Sequence, residues 1–405
     1  MKLVEEILSE MTDVSNTQKK FFKILMRTMV SMHGHINFSS LSRYSGCAEK
    51  TFRRWFKTLF DFGEFNSKVI NRVVNEETEV VAAFDQTFEG KAGKETWGKD
   101  YYWNGCESKA EKGLEFILCA LIDIGKNTAY SLAAEQTPAS DKTESKNKEY
   151  TRIDFYLSFI EMLRFKILTY TQYFVFDGYF TKKKFVGGIV TMGFHFVGKL
   201  RIDANLKMLY TGEQKARGRK KIFAGKSKLS ELQGFDFVGD FDDETKLYSG
   251  IFYHVSLERK IKVVAVRYMQ KNKIGTALLF STDLSLDVFQ LVRYYKARFQ
   301  IEFIFRDAKQ HVGFGDCQSR NKESLCFHAN ASVTSLNLVK IQDQLDHPTV
   351  GKVRPFSMAS YKVKYHNESM IDRFFSKLAP GLTLIKSSPV FQEVLNYGVI
   401  NFGKG

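Results

Sequence analysis

Tyr295, Arg298, Glu302 and Lys309 follow one another at intervals of three, four and seven residues. At 100° per residue they project at 0°, about 300°, about 340° and about 320°, one narrow stripe of a helix. A stripe of phenol, guanidinium, carboxylate and ammonium groups is not a core face. Phe299, Ile301, Phe303, Ile304 and Phe305 surround it with apolar side chains, so the polar groups need a compensating site. The plainest account is an Arg298–Glu302 ion pair at i,i+4. It leaves Tyr295 and Lys309 in register without a reason.

Two further carboxylates close apolar runs: Asp85 after Val80–Phe84, and Asp177 after Tyr173–Phe176. Each alone is more often a strand-end cap or turn residue. With Glu302 they make three carboxylates that one core could converge. Such a set suits two Mg²⁺ ions about 3.5–4 Å apart, which activate a water and stabilise a leaving oxygen in phosphodiester cleavage. Oxygen ligands without a Cys/His cluster favour Mg²⁺ or Mn²⁺ over zinc.

The elements that must position these groups follow from hydrophobic periodicity. Residues 1–70 read as helices, from Gln18–Met32 onward. Ser39–Tyr44, a turn at Gly46 and a longer helix over Glu49–Phe62 give a helix-turn-helix outline, with Lys50, Arg53, Arg54 and Lys57 free to meet DNA. Strands are expected at Val80–Phe84, Leu114–Ile122, Thr128–Ala133, Tyr173–Phe176 and His195–Ile202. Helices are expected at Asp154–Leu168 and Lys182–Met192. Trp97–Gly105 reads as a polar-aromatic excursion and 138–149 as a loop. Strands followed by alternating helix and strand describe an α/β core with a mixed sheet. Residues 203–280 read as a β-rich insertion. A single long helix is expected over Ser285–Val312 and another over Ser324–Leu345, with weaker helical periodicity at Ser369–Leu378 and Phe391–Tyr397.

Charge narrows the function. The 405-residue chain has 60 Lys+Arg against 45 Asp+Glu, a formal net charge of +15. Between residues 205 and 228, eight basic residues, Arg217, Arg219, Lys220 and Lys221 among them, face one acid, a net +7. Nucleic acid is the first partner such a balance implies, and an acidic membrane surface the rival. A membrane surface would not explain basic residues in register with carboxylates. No run of about 18 uncharged apolar residues is present, and Met1–Glu10 is not a signal-peptide core. Five scattered cysteines without a CxxC pair argue for a reducing setting. Gly218…Gly225-Lys226-Ser227 has six residues between its glycines where a phosphate loop needs four. His311, Cys317, Cys326 and His328 lack zinc spacing, and Asp240–Glu244 reads as an exposed turn.

The motif Y-x2-R-x3-E-x6-K from Tyr295 to Lys309 resembles the signature of the DDE transposases of the insertion-sequence four family. Phe84-Asp85-Gln86-Thr87 resembles that family's first-Asp motif, and Val175-Phe176-Asp177-Gly178-Tyr179-Phe180 its second. Leu200-Arg201-Ile202-Asp203 and Arg217-Gly218-Arg219-Lys220 resemble further family stretches. The likeness covers about residues 80–330.

The resemblance implies an RNase H-like mixed-sheet catalytic core interrupted by a β-rich insertion, an N-terminal all-helical DNA-binding domain and a small C-terminal helical region. The implied boundaries are 1–72, 73–202, 203–280, 281–345 and 346–405, the last a candidate dimer contact. Asp85, Asp177 and Glu302 would be the catalytic metal ligands, holding two Mg²⁺ ions with Mn²⁺ as a substitute. Tyr295, Arg298 and Lys309 would hold phosphates at the transposon end. The implied function is Mg²⁺-dependent cut-and-paste transposition. The enzyme would bind terminal inverted repeats, cleave there and join the freed 3′-hydroxyl to target DNA. Its partners would be double-stranded transposon ends and target DNA, and a second copy of the chain. No membrane and no nucleotide cofactor are expected, and the setting is the bacterial cytoplasm near the nucleoid. Some family members hold a flipped base against a Trp of the insertion. Here Trp55, Trp97 and Trp103 all lie outside residues 203–275, which leaves a hairpin step open. The alternatives are a DNA-binding protein without chemistry, such as a repressor or a domesticated transposase, and a related metal-dependent nuclease.

Overall fold

The computed structural model describes residues 2–140, 150–270, 273–348, 355–376 and 389–396. Five helices come first: α1 (Lys2–Ser9), α2 (Asn16–Ser31), α3 (Phe38–Ser45), α4 (Glu49–Trp55) and α5 (Phe62–Ile70). Local capping explains their limits. The Ser15 hydroxyl accepts from the Gln18 N–H ahead of α2, and Asn37 accepts from Ser40 ahead of α3. Gly46 ends α3 with φ of 76°, a left-handed conformation that glycine adopts without steric penalty. The helix expected over Glu49–Phe62 stops at Trp55. Asp61 then caps a new helix through the Glu64 N–H, so Phe60 and Phe62 turn into the core.

The sheet begins with β1 (Val80–Gly90), β2 (Asp100–Asn104), β3 (Lys109–Asp123) and β4 (Thr128–Gln136). The stretch expected to be an irregular excursion contains β2, a strand paired to β3. Next come α6 (Arg152–Leu168), β5 (Tyr173–Val175), α7 (Lys183–Thr191) and β6 (His195–Leu200). Of the loop expected over 138–149, residues 141–149 lie outside the described residues. β4, β3, β1, β5 and β6 lie side by side in that order; the β4–β3 and β3–β1 pairings are antiparallel, and β1–β5 and β5–β6 are parallel.

Residues 206–281 form β7 (Leu206–Leu209), β8 (Phe223–Lys226), β9 (Asp236–Asp242), β10 (Thr245–His254), β11 (Arg259–Gln270) and β12 (Lys273–Ser281). This region is β-rich as expected, but it is not set apart. β12 pairs with β6 from Leu278 to Ser281, so the same sheet runs on through β11, β10, β7 and β8. Among the described residues twelve strands form one mixed sheet.

Helices cover both faces of the sheet. Alternate residues of β1 show why, because successive side chains on a strand point to opposite sides. Val81 and Ala83 join a core with Leu291, Ile301, Ile304 and Val333. Ala82 and Phe84 join the opposite core with Phe159, Ile160 and Phe185. The first core is roofed by α8 (Val288–Ala297), α9 (Gln300–His311) and α10 (Lys322–Asp346), the second by α6 and α7. The N-terminal helices are built into that second core. The Phe56 ring packs at a tilt against Phe327 of α10, centroids 4.6 Å apart, and Asn66 of α5 donates to the Leu132 carbonyl and to Thr334, each at 3.0 Å.

Two helices follow, α11 (Met358–Phe375) and α12 (Pro389–Leu395). α11 packs on α2, with the Lys362 ammonium donating to the Met29 carbonyl at 2.9 Å and Arg27 paired to Asp372 at 3.0 Å. Tyr397, Leu378 and much of the segment offered as a dimer contact fall outside the described residues. No helix among the described residues is long and apolar enough to cross a membrane.

Candidate active site

Asp85 sits on β1, flanked by β3 and β5. The parallel register pairs Ala82 with Phe174 and Ala83 with Val175. Asp177 follows two residues beyond the end of β5, near enough for its charge to act on the Asp85 carboxyl. Each carboxylate accepts the N–H of the residue after it, Gln86 at 2.9 Å and Gly178 at 2.7 Å. Asp177 thereby caps the tight turn Gly178–Phe180.

Glu302 comes from the opposite layer. The single helix expected over Ser285–Val312 is broken into α8 and α9. Arg298 and Phe299 form the joint, where the hydrogen bonds tighten from i→i+4 to i→i+3: Arg298 to Tyr295, Ile301 to Arg298, Glu302 to Phe299. The turn keeps the helical sense, so Tyr295, Arg298 and Glu302 still face the sheet together.

The Arg298 guanidinium lies between two of the carboxylates. One nitrogen meets Asp85 Oδ2 at 3.2 Å and the other meets Glu302 Oε1 at 2.7 Å. The ion pair legible at i,i+4 is therefore real, and it extends to a third residue 213 positions away. Only 14% of the Arg298 side chain and 17% of the Asp85 side chain is exposed, against 39% for Glu302. Burial pushes the Asp85 carboxyl up to about 7; Arg298 and the Gln86 N–H oppose the rise, and the charges of Asp177 and Glu302 add to it. Tyr295 is pushed up to about 12 by burial, with Arg298 opposing and Asp177 and Asp85 contributing. Asp85, Asp177, Glu302, Tyr295 and Arg298 thus form one electrostatic cluster.

Lys309 is held further along. Its ammonium donates to the Phe88 carbonyl at 2.7 Å and pairs with Glu89 Oε1 at 2.9 Å. Glu89 went unnoticed in the sequence. Its signal was the even spacing from Asp85, which on a strand puts both acids on one face. Gly315 allows that placement: a Cβ there would lie 2.3 Å from Glu89 Oε2.

Among the described residues, no three His, Cys, Asp or Glu side chains stand close enough together to hold a metal ion. The donor chemistry nevertheless fits a hard divalent cation: three carboxylates, one of them only partly exposed and with its ionisation suppressed. Arg298 supplies the positive charge between Asp85 and Glu302 in this arrangement.

The remaining basic residues are not gathered here. Lys50, Arg53, Arg54 and Lys57 are exposed on or just after α4. Arg53 is paired to Glu49 at 2.5 Å, and Arg54 lies 5.2 Å from the Trp55 ring. Arg217, Arg219, Lys220 and Lys221 are exposed in the loop between β7 and β8. From β1 to β8 the sheet order counts seven strand steps, about 34 Å at the usual strand spacing. That is about one turn of duplex DNA. The other sequence candidates are engaged elsewhere: His328 is buried with Nε2 2.7 Å from the Gly313 carbonyl, and Cys317 Sγ lies 3.6 Å from the Ser324 carbonyl.

No curated protein matches the chain. A family model does, that of the transposase DDE domain, over residues 143–338. This span takes in Asp177, Tyr295, Arg298, Glu302 and Lys309, while Asp85 lies before it. Residues 143–338 are thus similar to a transposase DDE domain.

Proposed function

We propose that this protein is the transposase of a bacterial insertion sequence, acting in the cytoplasm. It binds the terminal inverted repeats, cleaves the DNA there and joins the freed 3′-hydroxyl to target DNA. What supports the reading is that Arg298 pairs with both Asp85 and Glu302 while the charge of Asp177 acts on Asp85, in a chain whose residues 143–338 match the transposase DDE domain. The strand order β4-β3-β1-β5-β6, antiparallel then parallel, supports an RNase H-like core.

In this reading Asp85, Asp177 and Glu302 hold two Mg²⁺ ions, which Mn²⁺ can replace. When bound, the ions supply an activated water and charge neutralisation at the leaving oxygen. The side chains do the positioning. Arg298, released from Asp85, takes a phosphate oxygen beside the scissile bond through its planar fork. Tyr295 stays protonated at neutral pH and donates to the same backbone. Lys309, three to four residues along β1, holds the next phosphate. Duplex DNA then runs to the basic loop of residues 210–222, while residues 1–72, with Lys50, Arg54 and Lys57, hold the repeat. A second copy of the chain brings the second end.

The test uses a labelled terminal-repeat duplex. Glu302→Ala should abolish Mg²⁺-dependent cleavage and leave duplex binding intact. Cleavage at the wild-type rate by Glu302→Ala would show the metal-site assignment to be wrong.

A further inference from the structure

Beyond Gly90 the sheet sends out a two-stranded arm. β3 pairs with β1 only down to Gly113, opposite Gly90, whereas it continues to Lys109 with β2 as its partner. Residues 109–112 and 101–104 therefore project past β1 as a ribbon. Its two faces differ sharply. Tyr102 is buried on one face, with its hydroxyl donating to the Gly98 carbonyl at 2.8 Å and the Arg152 guanidinium 4.7 Å from its ring. Asp100 on the same face accepts from the Ser140 N–H and hydroxyl, and Glu111 accepts from Asn104 and pairs with Lys109. That face anchors the arm and holds its acids.

The other face carries Tyr101 and Trp103, each 63% exposed. Lys112 stands opposite Tyr101 and Ala110 opposite Trp103. The small alanine leaves the indole face uncovered. Tyr101 and Trp103 have no ring or cation partner among the described residues, and Lys112 has no ion pair there. Two flat rings two residues apart on a strand stand about 7 Å from each other, with one unpaired cation and no acid on their face.

We propose that this face is a stacking platform for unpaired nucleobases of the DNA leaving the active site, with Lys112 on a phosphate between them. The proposal rests on the DNA reading of the site above. Base–aromatic stacking beside a lysine is how sequence-independent single-strand contacts are made. The arm is continuous with the site through β1, whose Phe88 and Glu89 hold Lys309. Asp85 pairs with Leu118 of β3, six residues from Lys112 and eight from Ala110, which is about 20–27 Å along the strand. The platform therefore serves DNA beyond the scissile bond, not the nucleotide being cut.

The experiment compares the wild-type chain with Tyr101→Ala/Trp103→Ala on two probes: a fully paired terminal-repeat duplex and the same duplex with a short unpaired flank. Both side chains are exposed, so the variant should keep its circular dichroism and thermal transition. The platform predicts at least ten-fold weaker binding to the flanked probe and unchanged binding to the paired one. It also predicts that the flanked probe quenches tryptophan fluorescence in wild type more than in Trp103→Phe. Equal loss on both probes, or no loss on either, overturns the platform while wild-type duplex binding keeps the DNA reading. Failure of wild type to bind either probe overturns both. If the double variant shifts the sedimentation of the free protein without changing DNA binding, the arm is a contact between copies of the chain and the platform is wrong.

Discussion

Asp85 lies on β1, and Asp177 follows two residues beyond the end of β5, its parallel neighbour. The pairing of Ala82 with Phe174 and Ala83 with Val175 offsets β1 from β5 by 92 residues, the interval between the two acids. Burial is the main reason the ionisation of Asp85 is suppressed, and the charge of Asp177 adds to it.

That geometry leaves little freedom in side-chain length. Asp85→Glu or Asp177→Glu keeps the charge but moves the carboxylate by more than 1 Å. Misplacement on that scale costs about 100-fold in rate. Cleavage of a terminal-repeat duplex should fall by about that factor with the thermal transition retained. A loss of less than three-fold would mean that the carboxylate positions are not critical.

Arg298→Met removes the cation between Asp85 and Glu302. Breaking a fully buried pair costs about 3–5 kcal/mol. Here Glu302 is 39% exposed, so about 1–2 kcal/mol is expected after solvent screening. Urea denaturation in chelator should show that loss. Added Mg²⁺ should stabilise the variant more than the wild type, because the guanidinium no longer competes for the carboxylates. Equal stabilisation of the two proteins would refute the competition.

His328 makes stability depend on pH. Burial lowers its imidazole to about 4, against 6.5 ordinarily, with the Gly313 carbonyl contact opposing. Between those values the unfolded chain binds more protons than the folded one, so stability falls as pH drops from about 6.5 to about 4. At pH 5 the group's share is about 2 kcal/mol relative to pH 7.5. The difference in urea stability between pH 7.5 and pH 5 should shrink by about that amount in His328→Asn. An unchanged difference would place the titration elsewhere.

Residues 1–72 should not fold alone. Phe56 packs against Phe327, and Asn66 is hydrogen-bonded to Leu132 and Thr334, within one continuous core. The isolated fragment should melt without a cooperative transition, even if some helix persists. A sharp calorimetric peak from the fragment would contradict the shared core.

Much of the site could be read from residue order. The apolar runs before Asp85 and Asp177 mark buried strands, and 100° periodicity puts Tyr295, Arg298 and Glu302 on one face. These signals are local, because each reports burial along a few consecutive residues. The break at Arg298–Phe299 could not be read, since a turn with i→i+3 bonds keeps almost the same periodicity. The early end of α4 at Trp55 was hidden as well. Phe56, Phe60 and Phe62 suit a helix face and a packed turn equally, and Phe327 decides between them.

The sequence by itself therefore determined which groups are available for chemistry and which secondary elements carry most of them. The tertiary structure alone decided what they meet. Arg298 reaches Asp85 across 213 residues, Lys309 finds Glu89, and the β-rich stretch joins the sheet through β12 and β6. The physical reason is range: periodicity and capping act within a turn or a strand, whereas strand pairing and charge pairing join residues hundreds of positions apart and leave no repeat along the chain.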